Sequence, residues 1–244
     1  MNKLNISFLR KKDKDSEAYV QTYVYQGDCH ISVLKLIEYV NSHPPKTVNG
    51  GESFRPISYE SSCEQGMCGA CAVVVNDKPV LACQTFCDDV VTKDRKITIE
   101  PLSKFPVICD FIIDRTEIFE TMKRMKLWIK GDAKVSTSTL SLQYQASQCL
   151  QCGCCLEVCP NYAKNDLFVG ANGAVNAMNL LNLNCKSEHK QEMKKEYKND
   201  FYKTCTKIGA CEKACPINLP TLTLMSEANR ISVWKLWQLI CDNK

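Results

Sequence analysis

The chain lacks any long apolar run. Its first eight residues, MNKLNISF, contain no apolar segment of the kind found in secretory signals. No stretch approaches the roughly 20 apolar residues that are needed to cross a bilayer. We therefore expect a protein without a membrane span of its own, in a reducing, cytoplasmic compartment.

The sequence also contains few histidines and has a small net charge. The 244 residues include three histidines, and His30, His43 and His189 stand at no metal-ligand spacing from one another. The formal net charge is +4, which gives little electrostatic reason to bind nucleic acid. The sequence contains no G-x-G-x-x-G fingerprint for a dinucleotide and no recognisable acid-base constellation. We therefore expect no catalytic residues for a substrate on this chain.

Cysteine, in contrast, is abundant. The chain has 17 cysteines, an odd number, and most stand a few residues apart in clusters. This pattern argues against a framework of disulfides and favours metal centres.

The first cluster is Cys63-Glu-Gln-Gly-Met-Cys68-Gly-Ala-Cys71, and Cys83 follows after eleven residues. This is the plant-type C-x4-C-x2-C…C spacing of a 2Fe-2S centre. The glycines in the loop permit positive φ angles, so that backbone N–H groups can turn towards sulfur. We predict a 2Fe-2S cluster held by Cys63, Cys68, Cys71 and Cys83.

Two further runs follow the bacterial ferredoxin pattern C-x2-C-x2-C-x3-C-P. The first run is complete and ends at Cys159-Pro160, whereas the second, which ends at Cys215-Pro216, has Ile208 where the second cysteine would stand. In two-cluster ferredoxins the fourth cysteine of each run ligates the other cluster, so one cluster has four thiolates and its partner three. The predicted ligands are Cys149, Cys152, Cys155 and Cys215 for a 4Fe-4S cluster, and Cys159, Cys205 and Cys211 for a 3Fe-4S cluster.

The apolar periodicity predicts an α+β chain with two domains. Segments 3–10, 20–25, 72–75, 80–82 and 96–99 have strand patterns, and 31–40 has a helical one. From Phe105 onward the pattern favours helices over 107–114, 118–129, 174–183 and 222–240, with polar linkers or solvated faces over 131–141 and 186–198. We predict an N-terminal β-grasp 2Fe-2S ferredoxin domain, residues 1–105, followed by an all-helical two-cluster ferredoxin-like domain, residues 106–244.

Three cluster signatures in this order resemble the iron-sulfur subunit of the succinate dehydrogenase / fumarate reductase family. The resemblance spans nearly the whole chain. It is carried by the 63–83 region, by Phe105-Pro-Val-Ile-Cys-Asp110, by Cys149-Leu-Gln-Cys152-Gly, by Phe168-Val-Gly170-Ala and by Cys215-Pro216. It implies an electron relay between FAD on a flavoprotein subunit and quinone on a membrane anchor. It also implies a peripheral position on the cytoplasmic side of the inner (cell) membrane.

The sequence departs from the family at three places. Many ubiquinone-linked members have a tryptophan a few residues after the first Cys-Pro and a histidine directly after the first cysteine of the last run. Here Ala163-Lys164 and Thr206 occupy those places, which favours a menaquinone-linked, fumarate-reducing member. Glu64 replaces the usual basic residue after the first 2Fe-2S cysteine, and we expect its negative charge to lower the potential of that cluster.

Several alternatives stay open at this point. The same clusters would serve a soluble fumarate reductase or another flavoprotein dehydrogenase, and a structural zinc-binding module is a third possibility. Ile208 is also compatible with a packing role beside a four-iron cluster, with Cys185 as a stray ligand. Cys154 adjoins Cys155 but breaks the spacing, so we interpret it as a thiol packed beside the cluster.

Overall fold

The computed structural model describes residues 3–45, 54–134, 137–163, 167–183 and 187–234. The chain forms two compact units. Unit 1 comprises Met1–Asp114 with Cys152–Cys154, and unit 2 comprises Arg115–Gln151 with Cys155–Lys244.

Unit 1 is built on a five-stranded mixed sheet. Its strands are β1 (Leu4–Lys11), β2 (Ala18–Tyr25), β3 (Ala72–Val75), β4 (Lys78–Leu81) and β5 (Lys96–Glu100), in the order β2-β1-β5-β3-β4. β1 and β5 are parallel, and the other neighbours are antiparallel. Alternate side chains of β1 are buried, as expected for a strand with one face on the core.

One helix, α1 (Val33–Ser42), supplies much of the remaining core of this unit. Ser32 begins it, because the Ser32 side chain accepts a hydrogen bond from the backbone N–H of Lys35. Leu34 and Ile37 of this helix line a cavity together with residues of β3. A mixed sheet with this helix is the β-grasp arrangement that the sequence predicted.

The β3–β4 hairpin returns the chain to Cys83. Its two turn residues, Asn76 and Asp77, both have positive φ angles, 46° and 64°, as a two-residue hairpin turn of this twist requires. The Asn76 side chain also accepts a hydrogen bond from the backbone N–H of Thr98 in β5. The predicted hairpin is therefore confirmed, and its turn is tied to the neighbouring strand.

The helix predicted over 107–114 is wrong. After the short α2 (Cys87–Val90) and β5, these residues form a hairpin of β6 (Val107–Cys109) and β7 (Ile112–Ile113). Asp110 lies in its turn with a φ of 45°.

The named elements of unit 2 are helices. They are α3 (Thr116–Arg124), α4 (Leu140–Ser147), α5 (Cys154–Glu157, of which Cys154 belongs to unit 1), α6 (Gly170–Leu181), α7 (Ser187–Tyr197), α8 (Ala210–Lys213) and α9 (Thr221–Ser232), with a 3-10 turn at Thr137–Thr139 and a π-helical turn at Lys198–Tyr202. The buried helix α6 packs against α4 and α9.

Three helices of unit 2 differ from the sequence prediction. α4 begins within the segment predicted as a polar linker, and α7 occupies the charged segment 186–198. α3 ends at Arg124, before the predicted end at 129, and residues 235–240 lie outside the described residues. In the part of the chain that the structure describes, no helix is long and apolar enough to cross a membrane.

Candidate iron-sulfur sites

The loop from Cys63 to Cys71, directly before β3, carries the first predicted site. Glu64, Gly66 and Gly69 have positive φ angles of 53°, 73° and 77°, so the backbone reverses within a few residues. A Cβ atom on Gly66 would lie 2.7 Å from Cγ of Gln84, so a side chain here would be both strained and crowded. The loop geometry therefore depends on glycine at this position.

This geometry aims two backbone donors at one sulfur. The N–H groups of Gln65 and Met67 donate to Sγ of Cys63, at N···S distances of 3.4 and 3.2 Å. These hydrogen bonds lower the pKa of the Cys63 thiol to about 7, because they stabilise the thiolate. A thiolate in a cradle of N–H groups is the form that ligates iron.

The structure brings the four predicted 2Fe-2S ligands together in two neighbouring pairs. The thiol of Cys68 hydrogen-bonds to that of Cys63, and Cys71 contacts Cys83 in the same way. Cys71 and Cys83 are buried, and burial raises the pKa of Cys71 to about 12. The charge of Cys68 adds to that rise, so the two pairs lie within electrostatic reach of each other. The donor set is four sulfurs, which suits a 2Fe-2S cluster.

Glu64, which we expected to add negative charge beside this site, has a cationic partner. Nζ of Lys35, on α1, lies 2.9 Å from Oε2 of Glu64 and 2.8 Å from Oε2 of Glu38. Hydrogen bonds to Glu38 and Glu64 raise the pKa of Lys35, so the ammonium stays charged. Lys35 therefore offsets the charge of Glu64, and the expected lowering of the cluster potential is opposed.

Of the predicted 4Fe-4S ligands, Cys149 and Cys152 precede α5, Cys155 lies in α5, and Cys215 follows α8. Cys149, Cys155 and Cys215 belong to unit 2, and Cys152 is grouped with unit 1. All four are partly exposed. Two of the sulfurs accept hydrogen bonds, Cys149 from Nδ2 of Asn172 at 3.7 Å and Cys215 from the backbone N–H of Leu219 at 3.4 Å.

The loop that carries Cys149 and Cys152 again depends on positive φ angles. Gln151 has a φ of 56° and Gly153 one of 92°. A Cβ atom on Gly153 would lie 2.8 Å from the Phe105 ring, so glycine at this position leaves room for the ring. Phe105 is the first residue of the segment 105–110, which carries part of the family resemblance. Cys154, the next residue, is fully buried, in keeping with its interpretation as a packed thiol. Cys185 lies outside the described residues.

The three predicted 3Fe-4S ligands line a single cavity in unit 2. Burial raises the pKa of Cys211 to about 11, and the charges of Cys159 and Cys205 add to this rise. The three thiols are therefore neighbours. Ile208 lines the same cavity, yet its side chain is 67% exposed. It offers no ligand where the first run has a cysteine.

Among the residues that the structure describes, no three Cys, His, Asp or Glu side chains converge closely enough to ligate a single metal ion. An iron-sulfur cluster spreads its cysteines more widely, because sulfide bridges separate its iron atoms. The sulfur-only donor sets and the N–H groups directed at them fit such clusters.

Two contacts around the clusters had little signal in the sequence. Asn172 stands in the otherwise small and apolar stretch 168–175, where a polar residue at a buried helix position was the available hint. Lys35 looked like any exposed helix residue, because nothing in the sequence places Glu64 next to it.

Two family models match the chain. A 2Fe-2S iron-sulfur cluster binding domain matches residues 3–120, and a 4Fe-4S dicluster domain matches residues 145–219. Together with the geometry above, they define an iron-sulfur electron-transfer protein with a ferredoxin-type domain and a dicluster domain.

Relatives narrow this class. The chain is 26% identical to the succinate dehydrogenase iron-sulfur subunit of Bacillus subtilis, over 91% of this chain and 89% of that one. It is 28% identical to the fumarate reductase iron-sulfur subunit of Haemophilus influenzae, over 87% and 86%. In fold it matches a chain of the Mycobacterium smegmatis Sdh1 complex, with a TM-score of 0.76, 19% identity and coverage of 96% and 97%. Over most of its length the chain is therefore similar to iron-sulfur subunits of succinate dehydrogenase and fumarate reductase.

Proposed function

We propose that this chain carries electrons between an FAD-containing flavoprotein subunit and a quinone held by one or more membrane anchor subunits. Its ligand sets are Cys63, Cys68, Cys71 and Cys83 for a 2Fe-2S cluster, Cys149, Cys152, Cys155 and Cys215 for a 4Fe-4S cluster, and Cys159, Cys205 and Cys211 for a 3Fe-4S cluster. The bound clusters supply one-electron carriers. The chain sits at the cytoplasmic face of the cell membrane, peripherally.

The observation that carries this proposal is the cavity shared by Cys159, Cys205 and Cys211. Three neighbouring thiols with an exposed isoleucine in the fourth place favour a cluster with three protein ligands. A three-iron cluster at the end of a 2Fe-2S and 4Fe-4S series is the arrangement that the family resemblance implies.

The residues of the chain have the tasks of holding the clusters and adjusting their electrostatics. Backbone N–H groups cradle Cys63 and Cys215. Such hydrogen bonds stabilise negative charge on sulfur and so influence the reduction potential.

We favour a menaquinone-linked fumarate reductase. Thr206 lines the Cys159 cavity, and its hydroxyl donates to Oδ1 of Asn161 at 3.1 Å, while Nδ2 of Asn161 donates to the carbonyl oxygen of Thr204. A neutral, internally satisfied threonine thus stands where ubiquinone-linked relatives have histidine. The purified complex should therefore reduce fumarate faster with a menaquinol analogue than with a ubiquinol analogue. Preference for ubiquinol, with fast succinate oxidation, would overturn this choice.

Iron content and low-temperature EPR test the cluster assignment on anaerobically purified full-length chain. We expect about nine iron atoms per chain, and a sharp signal in the oxidised state, because only the 3Fe-4S centre is paramagnetic when oxidised. Ile208→Cys supplies the missing thiol, so this variant should hold about ten iron atoms and lose the oxidised-state signal.

Ile208→Ser is the matched control, since it removes the same apolar side chain without adding a thiol. It should keep about nine iron atoms and the signal. A wild-type chain that is EPR-silent when oxidised and holds about ten iron atoms would contradict the 3Fe-4S assignment. A colourless, zinc-loaded chain would contradict the electron-transfer function itself.

A further inference from the structure

A ladder of three side-chain amides connects α6 to the loop that bears Cys149. Asn172 and Asn176 stand four residues apart on α6, on one face, and Gln151 reaches them from the cysteine loop. Nδ2 of Asn172 donates to Oε1 of Gln151 at 2.7 Å, and Nε2 of Gln151 donates to Oδ1 of Asn176 at 3.0 Å. Nδ2 of Asn176 then donates to the backbone carbonyl of Asn172 at 2.8 Å.

This ladder has one direction. The carbonyl oxygen of Asn172 can only accept, so it fixes the amide of Asn176 with its NH₂ group towards the backbone. Asn176 must then present its oxygen to Gln151, and Gln151 must present its own oxygen to Asn172. Each amide therefore orients the next. If the amide of Asn172 were reversed, its oxygen would face the oxygen of Gln151, and two acceptors cannot form a hydrogen bond.

The second hydrogen of the same NH₂ group is left for sulfur. Nδ2 of Asn172 lies 3.7 Å from Sγ of Cys149, within the range of an N–H···S hydrogen bond. The oxygen of the same amide is an unsatisfied acceptor, because Oδ1 of Asn172 is buried without a hydrogen-bond partner and the residue is 2% exposed. An unpaired buried acceptor is costly, and such costs recur where a side chain serves a function.

We propose that Asn172 is a positioning residue that sets the potential of the 4Fe-4S cluster through its hydrogen bond to Cys149, with Gln151 and Asn176 holding its amide in the required orientation. This inference rests on the proposed ligand role of Cys149. Reduction of the cluster adds negative charge that spreads onto its thiolate ligands. The N–H dipole stabilises the reduced form more than the oxidised one, so it raises the reduction potential.

The test is EPR-monitored redox titration of the full-length, cluster-loaded chain. Asn172→Leu keeps the size of the side chain but removes the donor, so the 4Fe-4S potential should fall. The same variant removes the unpaired Oδ1, so its thermal midpoint should be equal to or above that of the wild type. Asn176→Leu leaves Asn172 in place but frees Gln151 to turn, so the potential should fall by a smaller amount.

The 2Fe-2S signal in the same samples is the internal reference, and Asn182→Leu is the control variant. Asn182 caps the same helix, where its Nδ2 donates to the carbonyl oxygen and to the sulfur of Met178 rather than to a cluster cysteine, so neither potential should move. An unchanged 4Fe-4S potential in both the Asn172 and Asn176 variants, with iron content intact, would overturn this inference alone. Absence of a 4Fe-4S signal in the wild-type chain would overturn the proposed function with it.

Discussion

At the residue scale, the environment of each sulfur differs although the cysteine motifs are regular. The sulfur of Cys63 accepts hydrogen bonds from two backbone N–H groups, while Cys71 is buried beside Cys83. Charged residues near the Cys63 loop can in addition change the reduction potential of the 2Fe-2S cluster without contacting its ligands. Lys35 is the clearest case, because it bridges Glu64 of the loop and Glu38 of its own helix.

Lys35→Met should lower the potential of the 2Fe-2S cluster. The substitution removes a cation near a centre that gains negative charge on reduction, and it leaves Glu64 uncompensated. Glu64→Gln should raise the potential for the opposite reason. Both side chains are about half exposed, so each shift should shrink as salt is added. Redox titration at low and high ionic strength measures this.

Lys12→Met serves as the control, since Lys12 is an exposed lysine in the turn after β1. It should leave the potential unchanged. Equal potentials for Lys35→Met and wild type at low salt would show that the Lys35 ammonium does not act on the cluster.

At the element scale, a buried ion pair joins three segments of unit 1. Nε and Nη2 of Arg10, on β1, donate to the two carboxylate oxygens of Asp110 at 3.0 and 2.9 Å, and both side chains are fully buried. The carboxylate also accepts from the backbone N–H of Ser58 at 2.8 Å and from Arg55. The network therefore fixes the β6–β7 turn and the segment that leads into the Cys63 loop.

Asp110→Asn should destabilise the chain by ~3 kcal/mol, because it leaves Arg10 buried without a counter-charge. Burial alone would raise the pKa of Asp110, but hydrogen bonds from Arg10 and Ser58 and the charges of Arg10 and Arg55 hold it below 3.8. The carboxylate thus contributes its full stabilisation above its ordinary pKa, and loses it only as the pH falls through the lower folded value.

The difference in thermal midpoint between Asp110→Asn and wild type should therefore be constant from pH 8 to pH 5. Asp94→Asn, at an exposed position before β5, is the matched control and should be neutral. A difference that fades between pH 8 and pH 5 would contradict the lowered pKa of Asp110.

The same network explains where sequence prediction stopped. The hairpin at 72–81 was predictable, because Asn76-Asp77 between two apolar runs is a local signal. Residues 107–113 form an apolar run that is compatible with a helix or a strand. Hydrogen bonds to residues distant in sequence select the hairpin, because the N–H of Asp110 donates to the carbonyl oxygen of Lys11 and that of Phe111 to the carbonyl oxygen of Ser58.

Helix α7 was missed for a different reason. The helix is rich in Lys and Glu, and this masks the pattern of its buried side. That side is formed by His189, Met193 and Tyr197, which are spaced by four residues and are buried. In this buried row, Nε2 of His189 donates a hydrogen bond to the carbonyl oxygen of Trp128 at 2.9 Å. Cysteine spacing, in contrast, is local, and this is why all the candidate ligands could be named from sequence while Asn172 and Lys35 could not.

At the scale of the whole molecule, the sign of the charge depends on the clusters. The chain alone has a formal charge of +4 at pH 7, with 31 basic and 27 acidic residues. Each oxidised cluster with its thiolate ligands carries about −2, so three of them change the total by about −6 and leave about −2. Loading therefore turns a basic protein into an acidic one, which suits neither nucleic acid nor an anionic surface.

We therefore expect the oxidised, loaded chain to bind an anion exchanger at pH 7 and low salt, and the chain stripped of iron and sulfide to flow through it. The comparison is made anaerobically on one preparation, before and after removal of the clusters. Circular dichroism monitors unfolding, because the change in binding must come from the charge of the clusters and not from loss of the fold.

The variant Ile208→Cys extends this test. A four-iron cluster on four thiolates also carries about −2, so this variant should elute with the wild type although it holds one more iron. If the wild-type site instead held four irons on three thiolates, its charge would be about −1, and the variant would bind the exchanger more tightly than the wild type.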